Sequence, residues 1–230
     1  MKNLLASIGQ LLFPNLCICC QGYLSQQEKF ICDFCEFELP RFESFEQKDN
    51  AVAKKFWGSI KTDVATAYLT YGKGGAVQRL MHELKYRGNR ELGIEMGKWL
   101  GWALNKNDLL ANVDVLIPIP LHNKRQRERG YNQAELLCRG LHEVTQIPVA
   151  SDAVTRERYN VTQTKKKRYE RYINAKELFR VNTPELLENK HVLLIDDVIT
   201  TGSTMISCGE VLLDVKGLRL SLASLAVATY

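Results

Sequence analysis

The stretch HVLLIDDVITTGSTM, residues 191–205, narrows the possible folds more than any other part of the chain. Val192 to Ile195 form an apolar run that meets two carboxylates, Asp196 and Asp197, and then a loop rich in hydroxyls. A short apolar run of this kind reads as a buried strand, and the spacing in TMISCGEVLLDV reads as a helix. A strand that turns tightly into a helix gathers backbone N–H groups and a positive helix end at one point, which suits an anion. Thr200, Thr201, Ser203 and Thr204 add hydroxyl donors, and Gly202 lets the backbone come close without a Cβ. Two carboxylates repel an anion, so their role lies beside it. They suit neutral hydroxyls such as those of a ribose, or water held on a Mg²⁺ that screens further phosphates. The stretch therefore suits a sugar phosphate, and the alternative is an ordinary strand–turn–helix whose acids favour the helix start. A nucleotide triphosphatase also carries acids after such a strand, but it needs GxxxxGK[ST] elsewhere. GIEMGKW, residues 93–99, is one residue short of that pattern and lies within a helical period.

The rest of the chain agrees with an alternating layout. TDVATAYLTY, VDVLIPIP and LRLSLASLAVAT read as strands, the last as one strand or two. GAVQRLMHELKY, RELGIEMGKWLGWAL and YNQAELLCRGLHEVT carry helical spacing. Strands alternating with helices predict an α/β domain with a mostly parallel sheet flanked by helices. At 230 residues and 45% hydrophobic composition, one large domain and a small module both fit. The expected division is residues 1–40 as an N-terminal helix and cysteine module, 41–60 as a linker, and 61–230 as the α/β domain. Leu4, Leu5, Ile8, Leu11 and Leu12 follow amphipathic helical spacing, with no small-residue cleavage site after them. No apolar run nears the roughly 18 residues of a membrane span, and a cytoplasmic protein is expected.

Five of the seven cysteines lie in that first segment. Cys17-x-x-Cys20 and Cys32-x-x-Cys35 form two knuckles whose thiolates suit a tetrahedral, structural Zn²⁺. Cys19 can replace Cys20 in this pattern. Disulfides or free thiols are the alternative, and a cytoplasmic chain disfavours disulfides. Cys138 and Cys208 fall on helical patterns and read as buried, inert thiols.

LLIDDVITTGST resembles the phosphoribosyl pyrophosphate signature of type I phosphoribosyltransferases. HELKYRGNRELG, IPIPLHNKRQRERGYNQAELL and TRERYNVTQTKKKRYERYINAKELF resemble, in order, blocks of the ComF family of competence-associated proteins. The four-cysteine module in front of them does too. The resemblance implies a type I phosphoribosyltransferase-like domain behind a zinc module, and a part in DNA uptake during natural transformation. It implies that Asp196 and Asp197 hold the ribose hydroxyls, and that Thr200, Thr201, Gly202, Ser203 and Thr204 cradle the 5′-phosphate. Lys85 and Arg87, on a loop between two helical runs, would serve the pyrophosphate and complete a catalytic set with the two acids. Lys124, Arg125, Arg127 and Arg129 are candidates for a mobile lid over the leaving group, with Arg125 and Arg129 on the pyrophosphate. Asn132 and Gln133 cap the next helix or touch ligand, and His122 is a candidate acid or base.

Residues 155–172 interleave Arg156, Arg158, Lys165, Lys166, Lys167, Arg168 and Arg171 with Tyr159, Tyr169 and Tyr172. Cations for backbone and rings for stacking suit single-stranded nucleic acid. The same residues also suit a solvated helix face or a hood over the sugar-phosphate site. The net charge of +5 suits anionic ligands without demanding nucleic acid. Two functions remain open. One is a phosphoribosyltransferase using phosphoribosyl pyrophosphate and Mg²⁺. The other is a catalytically silent single-stranded-DNA binder or scaffold among DNA-uptake proteins, its pocket regulatory or a relic.

Overall fold

A computed structural model describes residues 15–45, 49–157 and 178–228. The expected amphipathic N-terminal helix and the candidate DNA contacts Lys165, Lys166, Lys167 and Arg168 lie outside the described residues. In chain order the elements are α1 (Asp33–Phe37), α2 (Ala51–Lys54), β1 (Ala65–Tyr71), α3 (Ala76–Tyr86), α4 (Arg90–Lys106), β2 (Val115–Pro118), α5 (Asn123–Arg129), α6 (Gln133–Thr145), β3 (Val154–Arg156), β4 (Phe179–Val181), β5 (His191–Ile199), α7 (Ser203–Leu213) and β6 (Arg219–Ala228).

The main sheet runs β1–β6–β5–β2, and every pairing in it is parallel. The α/β class read from the pattern is the class observed. The last apolar stretch is one strand, β6, because it lies between β1 and β5 and is covered on both faces. Strands β3 and β4 pair antiparallel in a separate ribbon. Beyond β2, the Leu116 N–H donates to Pro148 O and Leu116 O accepts from the Ala150 N–H, which extends the edge by a short segment.

Alternation along β5 and β6 supplies two cores. Leu193, Ile195, Ala223 and Leu225 pack under Leu80, Leu84, Met96 and Leu137 of α3, α4 and α6. Val192, Leu194, Leu220 and Leu222 pack against Met205, Cys208 and Leu212 of α7, together with Phe56 and Phe179. The glycines that mimic part of a phosphate loop have a packing role. A Cβ on Gly97 would collide with the backbone of Leu137, and one on Gly140 with the backbone of Ile94. Helices α4 and α6 thus cross at backbone contact.

Two further segments dock on this frame. Cys17, Cys19, Ile31, Cys35 and Leu39 share the core of α3 and α4. Within residues 49–60, Asn50 caps α2 by accepting from the Val52 and Ala53 N–H groups at 2.8 and 2.9 Å. Its Nδ2 donates to Ala65 O at 2.9 Å, and Val52 and Phe56 enter the core of α7.

Candidate functional site

Strand β5 carries both acids at its C-terminal end, and alternation turns them to opposite faces. Asp197 meets α3, where Lys85 Nζ lies 2.8 Å from its Oδ2. Asp196 turns toward the α7 side, near Cys208 and Arg156. The Asp197 N–H donates to Asp196 Oδ1 at 2.8 Å. Asp196 keeps an edge open to solvent although protein surrounds it. Burial, and then the charge of Asp197, push its pKa up to about 7, while the Asp197 N–H, Lys85 and Arg156 pull it down.

The turn into α7 is built for close approach. Gly202 has φ +81°, and a Cβ there would stand 3.0 Å from Cε1 of Phe56. It occupies the N-cap position and has no side chain to cap the helix. The Ser203 N–H reaches Thr201 Oγ1 at 3.4 Å, a long bond that leaves the helix start suited to an anion. The Thr201 hydroxyl donates to Ser203 Oγ at 3.2 Å, so exposed hydroxyls gather over the helix start.

A cleft of about 500 Å³ opens beside this turn. Thr200, Thr204, Asp196 and Asp197 line it. Lys85, paired with Asp197, lines it with Arg125 and Arg129, and these three continue into an adjoining recess of about 490 Å³. Lys85 belongs to the last turn of α3 and not to a loop, because the apolar period of Leu80 and Leu84 carries the helix on to Tyr86. Gly88, at φ +73°, follows that helix end. Arg87 is the C-cap, exposed and 4.0 Å from Glu83, and does not line the cleft. The expected lid segment is the short helix α5. His122 Nδ1 caps it by accepting from the Lys124 N–H at 3.1 Å, and the left-handed Gly130 ends it. Arg125 and Arg129 are four residues apart on one face, so both reach the cleft. Asn132 caps α6, accepting from the Ala134 N–H at 3.1 Å and donating to Ile119 O at 2.9 Å.

Other residues join the site. Gln78 and His82 line the cleft with Lys85, as a polar stripe at i, i+4 and i+7 beside the apolar face of α3. That stripe was legible in GAVQRLMHELKY. Arg156, grouped by sequence with the basic run after it, instead lines the cleft from β3 over the Phe179 ring at 5.3 Å. No local signal separates it from its basic neighbours. Arg90 braces the start of α6, donating to Gly130 O at 2.9 Å and lying over the Tyr131 ring.

Away from the cleft, the sulfurs of Cys17, Cys20, Cys32 and Cys35 lie within 4.8 Å of one another. The Gly22 N–H donates to Cys20 Sγ and the Cys32 N–H to Cys17 Sγ, both at 3.4 Å. Cys19 turns into the core, where burial raises its pKa to about 12 and keeps it a neutral thiol. The fourth position of the cluster is therefore Cys20. Four thiolates at this spacing are compatible with a structural zinc and leave no open coordination position. Cys138 and Cys208 are buried, and burial raises the pKa of each. Among the described residues no helix is long and apolar enough to cross a membrane.

Comparison with protein families matches residues 89–228 to the phosphoribosyl transferase domain. The DNA utilization protein YhgH of Shigella flexneri is 33% identical over 137 residues, covering 58% of this chain and 60% of that one. Competence protein F of Haemophilus influenzae is 39% identical over 93 residues, 40% of this chain and 41% of that one. Competence protein ComFC of Bacillus subtilis is 36% identical over 110 residues, 48% of this chain and 42% of that one. The chain thus spans about 60% of the length of the first of these relatives and less of the others. With a parallel sheet, an acid pair at the end of β5 and a hydroxyl-rich turn after it, the chain belongs to the phosphoribosyl transferase domain family, as a relative of DNA utilization and competence proteins.

Proposed function

We propose that the cleft binds phosphoribosyl pyrophosphate with Mg²⁺. One observation carries this reading: the cleft lined by the acid pair is also lined by two kinds of group that suit anions, Thr200 and Thr204 of the α7 turn and the cations Lys85, Arg125 and Arg129, which continue into the adjoining recess. A single phosphate needs only one such site. In this reading Thr200 to Thr204 hold the 5′-phosphate, and Asp196 and Asp197 accept from the ribose hydroxyls. Lys85 leaves Asp197 for the diphosphate, and Arg125 and Arg129 grip the leaving group. The acidic oxygens would also hold water on Mg²⁺, which supplies charge to screen the diphosphate. Arg87 stands outside the lining, so we assign it long-range charge only.

The proposed organisation is an N-terminal helix and four-cysteine zinc module over residues 1–40, a linker over 41–60, and the phosphoribosyltransferase-like domain over 61–230. We place the protein in the cytoplasm and assign it to DNA uptake, with Lys165, Lys166, Lys167 and Arg168 as contacts to single-stranded DNA. The relatives are named for DNA use and competence, not for a transfer reaction, which favours the second reading. In that reading the sugar phosphate is a regulatory ligand and no turnover occurs.

A melting scan tests the site. Ligand at a hundredfold excess over Kd stabilises by about 2.7 kcal/mol, so phosphoribosyl pyrophosphate with Mg²⁺ should raise Tm by about 5–10 °C. The double variant Asp196→Asn/Asp197→Asn should abolish the rise. An unmoved Tm for the parent protein, at ligand concentrations up to the millimolar range, would overturn the proposal. Release of pyrophosphate with a base, amine or nucleic acid acceptor separates an enzyme from a silent binder.

A further inference from the structure

We propose that the cysteine module carries a docking face for a protein partner, built on Phe34 and Phe37 and suited to a basic amphipathic helix. The inference stands apart from the cleft and does not rest on the sugar-phosphate reading. Four of the eight large apolar side chains left exposed among the described residues lie within residues 15–45. Phe34 is 73% exposed and Phe37 82%. They sit three residues apart on α1, so both leave the helix on one face. The other face is taken, since Cys35 and Leu39 are buried in the core of α3 and α4. Core packing therefore decides which face looks out, but it does not call for phenylalanine there. Exposed aromatics rimmed by charge mark contact sites rather than solvated ones. On the other knuckle, Leu16 and Tyr23 pair across an antiparallel bridge and are also exposed. The sulfurs of the two knuckles lie within 4.8 Å of one another, so both aromatic groups share one small support.

Charge identifies the occupant. Residues 15–45 hold five acids and two bases, whereas the whole chain carries +5. Both bases are engaged with the protein. Lys29 Nζ lies 3.0 Å from Glu91 Oε2 of α4, and Arg41 lies over the Tyr68 ring and donates to Glu36 O. Asp33 and Glu38 stand exposed, directly before Phe34 and directly after Phe37. An apolar pair between two carboxylates repels a phosphate backbone and an anionic lipid surface, since both need cations at the contact. It repels a second copy of itself for the same reason. A basic amphipathic helix meets both demands: its apolar stripe covers the rings, and lysines or arginines beside the stripe reach the acids. The module thus faces a protein, while the cations Lys85, Arg125 and Arg129 gather at the cleft.

Fluorescence anisotropy on the full-length chain, purified with zinc, tests this with two synthetic peptides of helical period. One is built of leucine and lysine, the other of leucine and glutamate. The leucine–lysine peptide should bind, and its acidic twin should not. Phe34→Ser/Phe37→Ser should weaken binding by about tenfold or more. Asp33→Asn/Glu38→Gln should weaken it by about threefold, a difference that disappears at about 1 M salt. Melting and zinc content check the fold of each variant, and if the phenylalanine pair does not fold, the exposed charge pair carries the test. Absence of binding overturns the proposal. So does binding that neither variant weakens, because the peptide then sits elsewhere. An oligothymidylate and vesicles of phosphatidylglycerol probe the other occupants. If Phe34→Ser/Phe37→Ser costs binding to either, or dissociates a dimer of the parent in ultracentrifugation, the face belongs to nucleic acid, lipid or a second copy, and the proposal falls.

Discussion

The two ends of β5 hold polar groups in opposite ways. At the N-terminal end His191 is 5% exposed, and each of its polar groups is answered by protein. Nδ1–H donates to Asn112 O at 3.1 Å, and Nε2 accepts from the Ser221 hydroxyl at 2.9 Å. Its backbone N–H donates to Asp114 Oδ2 at 2.7 Å. Burial, and then Arg219, lower its pKa against the pull of Asp63, so the ring is neutral and fits that tautomer. Asp63 in turn accepts from Arg219 Nε at 2.8 Å. Five residues along the strand, the C-terminal end is open. Two successive residues carry carboxylates that both line the cleft, and the N-cap position of α7 is a glycine with no side chain to offer. Polar groups that answer one another build the fold, while groups left unanswered at a cleft wall mark where a ligand completes the set.

The sharpest way to break this contrast is at the closed end. His191→Leu leaves the Asn112 carbonyl and the Ser221 hydroxyl buried without their ring partner. The expected cost is about 3 kcal/mol of stability, read from the midpoint of urea unfolding. Affinity for phosphoribosyl pyrophosphate at 15 °C should stay within about twofold of the parent. A loss of affinity larger than the loss of stability would mean that the two ends are not independent.

At the open end, Gly202→Ala should damage both properties, but each by less. Alanine at φ +81° costs roughly 1 kcal/mol, and the Phe56 ring 3.0 Å away must shift as well. About 2 kcal/mol of stability and about a tenfold loss of sugar-phosphate affinity are expected, the latter because the turn that presents the first helix N–H groups moves. If affinity holds while stability falls, the turn is a structural feature and not the phosphate site.

The sequence legible to us was mostly that of the open end. The acid pair, the hydroxyl-rich turn and the glycine at its centre lie within nine residues, so local chemistry reveals them. The four strands and their flanking helices were legible for the same reason, since period and burial are local. What stayed hidden depends on contacts across the chain. KYRG reads locally as a turn, yet burial of Leu84 carries α3 past Lys85. The ion pair of Lys85 with Asp197 joins residues far apart in sequence. Arg156 reached the cleft because β3 pairs with β4, which its basic surroundings did not suggest. Cys19 and Cys20 are adjacent, and only the packing of Cys19 into the core settles which one joins the cluster. His191 carries no motif, so the closed end was invisible until the strands were paired.

The smallest effect separates the ends by pH. Burial raises the Asp196 pKa from 3.8 to about 7, so the unliganded protein holds a proton there that the unfolded chain gives up. Stability from this group is fully present below about pH 4 and is lost as pH rises through about 7. Asp196→Asn should therefore melt above the parent at pH 8 and match it near pH 4. Binding runs the other way, because ribose hydroxyls donate best to an ionised carboxylate. The ionised fraction climbs from about a tenth at pH 6 to about nine tenths at pH 8, so affinity should rise about tenfold, or roughly 1.4 kcal/mol, and then level off. Titration of the ligand's phosphates is common to both proteins, so the parent-minus-variant difference isolates Asp196. A flat difference would mean that Asp196 stays ionised throughout, and that this end is as fully answered by protein as the other.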